Sequence, residues 1–205
     1  MQYDELQQIY AQEGYYWGKE PNELVKRAVD YTPSRESLTA IDVGAGEGRD
    51  SVYLADQGID VTAIDIAPNG LEKAKQLAEE IGVEIDVSQA DINTLQLATS
   101  IDLFYSIGTI QYLRPENRSN QFQHFQTQTC SGGIHALFAF VDRDDIPPAP
   151  DWGKNEYYYE ESELDQYYEN WDCLYTEKLV FDDDSGSEPH QHAAVEVIYR
   201  NPVSN

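Results

Sequence analysis

Short apolar runs rich in branched and aromatic side chains recur along the chain, with longer mixed segments between them. The runs are "LTAIDVG" (38–44), "DVTAID" (60–65), "VEIDVSQAD" (83–91), "IDLFYSI" (101–107) and "IHALFAFV" (134–141), each with the length and composition of a strand. Between them, "RDSVYLADQG" (49–58) and "PNGLEKAKQLAEEIG" (68–82) space their apolar residues along one helix face, and "PENRSNQFQHFQTQT" (115–129) does so weakly. Strands and helices alternating in this way predict βαβ units, a parallel sheet and right-handed crossovers.

The rhythm changes near the end. "WDCLYTEKLVF" (171–181) and "HAAVEVIYR" (192–200) are strand-like runs separated by the turn-rich "DDDSGSEP" (182–189), which predicts a terminal hairpin. A sheet that is parallel through five strands and closes with a hairpin must carry an antiparallel strand in its last third. No linker, long-period repeat or low-complexity tract divides the chain, so one domain is expected over 1–205. Within it, residues 1–30 read as an N-terminal helical segment, with a helix starting at Pro21, and 31–205 as the α/β core.

Charge narrows the partners. With 38 acidic and 13 basic residues among 205, the formal net charge is -25, which repels nucleic acid backbones and anionic membrane surfaces. The opening "MQYDELQQIY" has neither a basic n-region nor an apolar h-region, and no stretch approaches the roughly 18 apolar residues of a membrane span. A cytoplasmic monomer or homodimer acting on a small molecule is the expectation. Cys130 and Cys173 lack CxxC spacing and read as reduced, structural thiols.

Candidate chemistry begins at "AIDVGAGEGRDSVYLA" (40–55), where a glycine cluster joins a strand to a helix. Such a loop brings backbone N–H groups and a helix N-terminus to a nucleotide-type cofactor. The spacing is GxGxG, Gly44-Ala45-Gly46-Glu47-Gly48, and not the GxGxxG of dinucleotide binders. Asp42 and Glu47 put negative charge where a pyrophosphate would lie. A cofactor with a cationic centre and no phosphate fits better, and S-adenosylmethionine is the common one. Asp65 ends the second strand at the offset from which an acidic side chain takes ribose hydroxyls. Asp91 closes the third, where with Ile92 it suits an adenine amino edge and ring face. Ile66 and Ser106 complete the expected cofactor set.

These residues resemble the class I S-adenosylmethionine-dependent methyltransferases, whose sheet has seven strands with the last antiparallel and inserted beside the fifth. Within that class, "GEGRDSVYLADQGIDVTAID", "IDLFYSIGTIQYL", "SGGIHALFAFVDRDD" and "EYYYEESELDQYYENWD" are similar to stretches of the tellurite-resistance methyltransferase group. The resemblance spans roughly residues 15 to 200 and departs from the group at Ala45, where many relatives have cysteine, and in the last hairpin. It implies helices on both faces of the sheet, an N-terminal flap over the cofactor, and a C-terminal hairpin closing the substrate side of the pocket.

"EGYYWGKEPNELVKRAV" (13–29) then supplies the flap, with Trp17 expected against the methionyl end, since a sulfonium is attracted to an aromatic face. Tyr16, Tyr112, Arg143 and Trp152 are the candidate substrate walls. In "EPHQHAAVEVIYR" (188–200), His190 and His192 share one strand face and are the candidate catalytic pair, as an anion clamp or a proton acceptor, with a pair of solvated turn residues as the alternative. The group carries basic side chains in this hairpin, and here histidines stand in for arginines. With no third ligand close in sequence, no metal is assigned to the pair. His124 and His135 read as helix surface and strand start.

The expected function is methyl transfer from S-adenosylmethionine to a small nucleophile, such as a thiol or a chalcogen oxyanion like tellurite or selenite. The alternative is a sensor or interaction protein that binds the cofactor without turnover.

Overall fold

The computed structural model describes residues 3–147, 149–150, 153, 155–183 and 188–203. Seven strands form one sheet: β1 (Thr39–Val43), β2 (Asp60–Asp65), β3 (Asp86–Gln89), β4 (Ile101–Ser106), β5 (Thr129–Phe140), β6 (Asp172–Asp183) and β7 (His190–Arg200). Their order is β3-β2-β1-β4-β5-β7-β6. The first five pair in parallel, and β7 runs antiparallel to both β5 and β6. The antiparallel strand therefore sits beside the fifth, as the change of rhythm in the sequence requires.

Every residue of β4 is buried, because both faces of the sheet are covered. Phe104 packs into one core with Phe122 and Phe125 of α5 (Pro115–Thr127) and Leu164 of α6 (Glu163–Tyr167). Leu103 and Tyr105 point the other way, toward Leu24, Val25 and Ala28 of α2 (Glu23–Tyr31) and Leu54 of α3 (Arg49–Asp56). α4 (Pro68–Ile81) lies beside α3 on that side, and α1 (Tyr3–Tyr10) is tied to α4 by Asn69, which donates to Gln7 at 3.0 Å. Among the described residues no helix is long and apolar enough to cross a membrane.

Several boundaries differ from the sequence reading. α2 starts after Asn22, whose side chain accepts from Leu24 N–H as an N-cap, so Pro21 lies outside the helix. The three fully buried residues of α2 make it part of the core. β3 spans four residues and ends at Gln89, two short of Asp91. β5 begins at Thr129, five residues before the run at 134–141, and passes through Gly132 and Gly133 by way of an irregularity in its register with β4.

That early start moves His135 from a strand end to the middle of the core. It is fully buried, with Nε2 2.7 Å from Thr129 Oγ1 and Nδ1 2.6 Å from the Tyr168 hydroxyl, and Tyr168 stacks on Tyr199 at 4.3 Å. His124 is likewise no surface group: its Nε2 accepts from Leu97 N–H at 2.8 Å, anchoring the loop before β4. On the same side, buried Arg118 of α5 binds Glu163 through two contacts of 2.7 and 2.9 Å, donates to Tyr157 O, and lies 3.7 Å from the Tyr159 ring centroid. This clamp holds the 157–159 segment against the end of the sheet.

Burial drives the His135 pKa down to about 3, so the folded state holds it neutral while the unfolded chain protonates it near its ordinary value. Between those values the unfolded state binds more protons, and stability falls as pH drops from about 6.5 toward 3. Chemical denaturation at pH 7 and pH 5 should show wild type losing on the order of 2 kcal/mol more than His135→Gln over that interval. Parallel curves for the two proteins would remove His135 as the source.

Candidate functional site

The loop after β1 doubles back over the end of β2. Gly44 and Ala45 N–H both donate to Ile64 O, at 2.7 and 3.0 Å, and Gly46 N–H donates to Asp65 Oδ2 at 2.8 Å. Asp65 Oδ1 accepts from Ala67 N–H at 2.7 Å, so one carboxylate fixes both the loop and the entry to α4. Gly44 has φ 84°, and a Cβ there would lie 1.6 Å from Thr109 Oγ1, so only glycine fits between the loop and the turn after β4.

Beneath the loop sit carboxylates with little access to water. Asp42 accepts from Ser51 Oγ at 2.6 Å, and burial together with the nearby Asp50 pushes its pKa up to about 8. Asp50 accepts from Asn22 N–H and from the Tyr105 hydroxyl, and burial raises its pKa and that of Asp65. Glu47 is buried too, paired with Lys73 at 2.8 Å and accepting from Trp17 N–H at 3.1 Å. The Trp17 indole donates to Tyr10 OH at 3.2 Å, which brings α1 and the aromatic segment to the rim.

A cavity of about 730 Å³ opens from this loop and extends to the β6–β7 hairpin. Trp17, Asp42, Gly44, Gly46, Asp65 and Ile66 line it as the sequence predicts, as do Asp91, Ile92, Tyr112 and His192. Asp91 accepts from Asn93 N–H at 2.8 Å, in a turn just past β3. At the hairpin end Phe140 and Phe181 pack against His192, with ring centroids 5.0 and 5.6 Å away.

Four expectations fail here. Ser106 is fully buried and donates to Val43 O at 2.8 Å, joining β4 to β1 away from the cavity lining. Tyr16 points outward, edge-on to Trp17, and does not line the cavity. Arg143 pairs with Asp145 through contacts of 2.9 and 2.7 Å and lines a separate small pocket. His190 is half-buried and outside the lining, while His192 lines the cavity and is only 6% exposed, so His192 is not a solvated turn residue. Trp152 lies outside the described residues.

Sequence reasoning missed Tyr10, Asp50, Gln111 and Asp183, all of which line the cavity. Asp50 is the second residue of α3, where a carboxylate reads as ordinary first-turn charge. Gln111 Oε1 is the buried side-chain polar atom without a hydrogen-bond partner among those described. Asp183 was accessible by counting hairpin register: it pairs directly with His190. It supplies the third ligand-type group that the sequence reading judged absent. Cys130 and Cys173 are both free thiols.

A mixed sheet in this order, with a glycine loop after β1 and acidic residues following β2 and β3, is the Rossmann-like fold of class I S-adenosylmethionine-dependent methyltransferases. The chain belongs to the tellurite resistance protein TehB family, which matches it over residues 10–187. The probable S-adenosyl-L-methionine-dependent methyltransferase TehB of Haemophilus influenzae (strain 10810) is 28% identical over 175 residues, covering 83% of this chain and 60% of its own length. The chain thus spans well under two thirds of that relative. The crystal structure of TehB from Haemophilus influenzae superposes with a TM-score of 0.76 at 22% identity, over 97% of this chain and 66% of the other. The N-methyltransferase NodS from Bradyrhizobium japonicum WM9, solved with S-adenosyl-L-homocysteine, gives 0.73 at 17% identity over 98% of both chains.

The buried Asp42 is a liability for the fold. Its raised pKa means that stability present below about pH 4 is lost progressively as pH climbs through about 8. Asp42→Asn should therefore gain on wild type in denaturation midpoint between pH 5 and pH 8. A constant difference across that range would show that Asp42 ionises freely.

Proposed function

We propose that this chain transfers a methyl group from S-adenosylmethionine to a small, soft anionic nucleophile, a thiol or a chalcogen oxyanion such as tellurite or selenite. The observation that carries this reading is the single cavity that joins the glycine loop to the hairpin, with space for donor and acceptor end to end. The names of the TehB relatives agree with it.

The donor set suits the cofactor. Asp42 and Asp50 are carboxylates whose charged form burial disfavours, and Gln111 Oε1 is a buried acceptor lacking a donor. A ligand bearing an ammonium and a sulfonium relieves all three, whereas a pyrophosphate would add to the repulsion. In this reading Asp65 holds the ribose with its remaining lone pairs, Asp91 and Ile92 receive the adenine, and Trp17 faces the methionyl end. Residues 1–30 act as the lid through α1 and Trp17, within one domain that carries both halves of the site.

When bound, S-adenosylmethionine supplies an electrophilic methyl on sulfur. The chain's own part is to orient the acceptor and keep water out, which for a soft anion needs little base catalysis. Phe140, Phe181 and His192 form the dry end in which the acceptor lies.

Calorimetry should detect S-adenosylmethionine binding and none for NAD, and the reverse result would refute the cofactor assignment. Asp65→Ala should weaken binding by about 1–3 kcal/mol, from the lost ribose bonds and the released loop. An unchanged dissociation constant would exclude Asp65.

His190→Ala should lower kcat/KM in a methylation assay across thiols, tellurite and selenite while leaving cofactor affinity intact. His192 is packed between aromatic rings, so His192→Gln is its better probe. Turnover equal to wild type in both variants would remove the hairpin histidines from the reaction.

A further inference from the structure

The hairpin places three potential metal ligands on one face. Asp183 pairs with His190 across the β6–β7 ladder, and Phe181 pairs with His192. Because side chains two apart share a face, Asp183, His190 and His192 converge, and their ligand atoms lie within 4.8 Å of one another. His190 Nε2 is 2.9 Å from His192 Nε2, which is 3.5 Å from Asp183 Oδ2. Ligands bound at 2.0–2.1 Å around a tetrahedral zinc ion stand about 3.3 Å apart, between these two spacings.

The proton positions point the same way. His190 Nδ1 is 2.8 Å from Glu188 O, and a carbonyl only accepts, so that nitrogen carries the hydrogen and Nε2 presents a bare lone pair. His192 Nδ1 lies 3.3 Å from the Tyr158 hydroxyl, which is able to accept from it. An imidazole whose far nitrogen donates to a carbonyl or hydroxyl is oriented as metal-binding histidines are. The two Nε2 atoms stand 2.9 Å apart, a spacing that either a shared proton or a bound cation satisfies.

We propose that Asp183, His190 and His192 bind a divalent transition-metal ion of the zinc type. Two imidazoles and one carboxylate select such an ion over magnesium or calcium, which prefer all-oxygen sites. Three protein ligands leave a fourth position, and since Asp183 and His192 line the cavity, that position opens into it. The described lining residues after Arg114 in the chain include no lysine or arginine. The ion, with one carboxylate and two neutral imidazoles, leaves a net positive charge at the hairpin end, where Glu156 and Asp183 are the charged side chains among the described lining residues from Phe138 onward and the lining's arginines, Arg49 and Arg114, come from elsewhere in the chain. A thiol would bind there as its thiolate, its proton passing to solvent. This last step rests on the proposed methyl transfer; metal binding itself does not.

The test uses untagged full chain, stripped with chelator and free of cofactor. Calorimetry should show one zinc per chain, and cobalt(II) should give the visible bands of a tetrahedral nitrogen and oxygen site. His190→Ala and, separately, Asp183→Asn should each weaken zinc by more than about tenfold, with magnesium binding unchanged. Adding a simple monothiol to the cobalt form should produce a sulfur-to-metal charge-transfer band. Absence of zinc binding, or affinity unaltered in both variants, would overturn the metal site and leave a proton shared between the imidazoles. Cobalt bands without a thiol response would overturn the open position. None of these readings depends on methyl transfer, so a failed methylation assay would count against the proposed function alone.

Discussion

The carboxylate of Asp65 is the point on which the site is hung. Its two oxygens take Gly46 N–H and Ala67 N–H, so the loop after β1 and the start of α4 are held by one side chain at the end of β2. The close packing around it leaves no room for alternatives. Gly70 of α4 lies against Gly46 O, where a Cβ would come within 2.7 Å, and Gly48 faces Ala74 at 2.5 Å. Remove the brace and the loop, α3 and α4 lose their common reference.

Holding that brace in a buried place costs free energy, and Asp42 and Asp50 add to the cost. All three have pKa values raised by burial, which is the signature of charge that the fold alone does not satisfy. The fold keeps carboxylates whose charged form awaits a positive partner, a common arrangement where a ligand completes the electrostatics. The hairpin end of the cavity is built differently. It is aromatic around His192, with polar groups from Asn155 and Glu156 as well as from the hairpin.

The sheet and the cofactor half were legible because their signals are local. Strand-length apolar runs, a glycine cluster at a strand end and acidic residues at the following strand ends lie close together in sequence and need no knowledge of distant packing. The failures share one cause, which is tertiary contact. His135 was misplaced because the apolar run starts at Ile134, whereas β5 starts at Thr129 and carries His135 into the core. Ser106 and Arg143 have the right addresses at the sheet edge, but a backbone carbonyl of β1 and the neighbouring Asp145 claim them. Asp183 needed a register count across a hairpin, a relation the linear chain encodes only by parity.

β6 has a hydrogen-bonded neighbour on one side only, at the far edge of the sheet from β3. Its outer backbone groups face away from the ladder, and most of its side chains are exposed or half-buried. Phe181 and Asp183, which line the cavity, are carried by this edge strand, whereas His192 on β7 is buried between two neighbours. A substitution on an exposed position of β6 disturbs few core contacts, while one in β1 or β2 disturbs many. Between lineages this edge is where the sheet has the most freedom to vary.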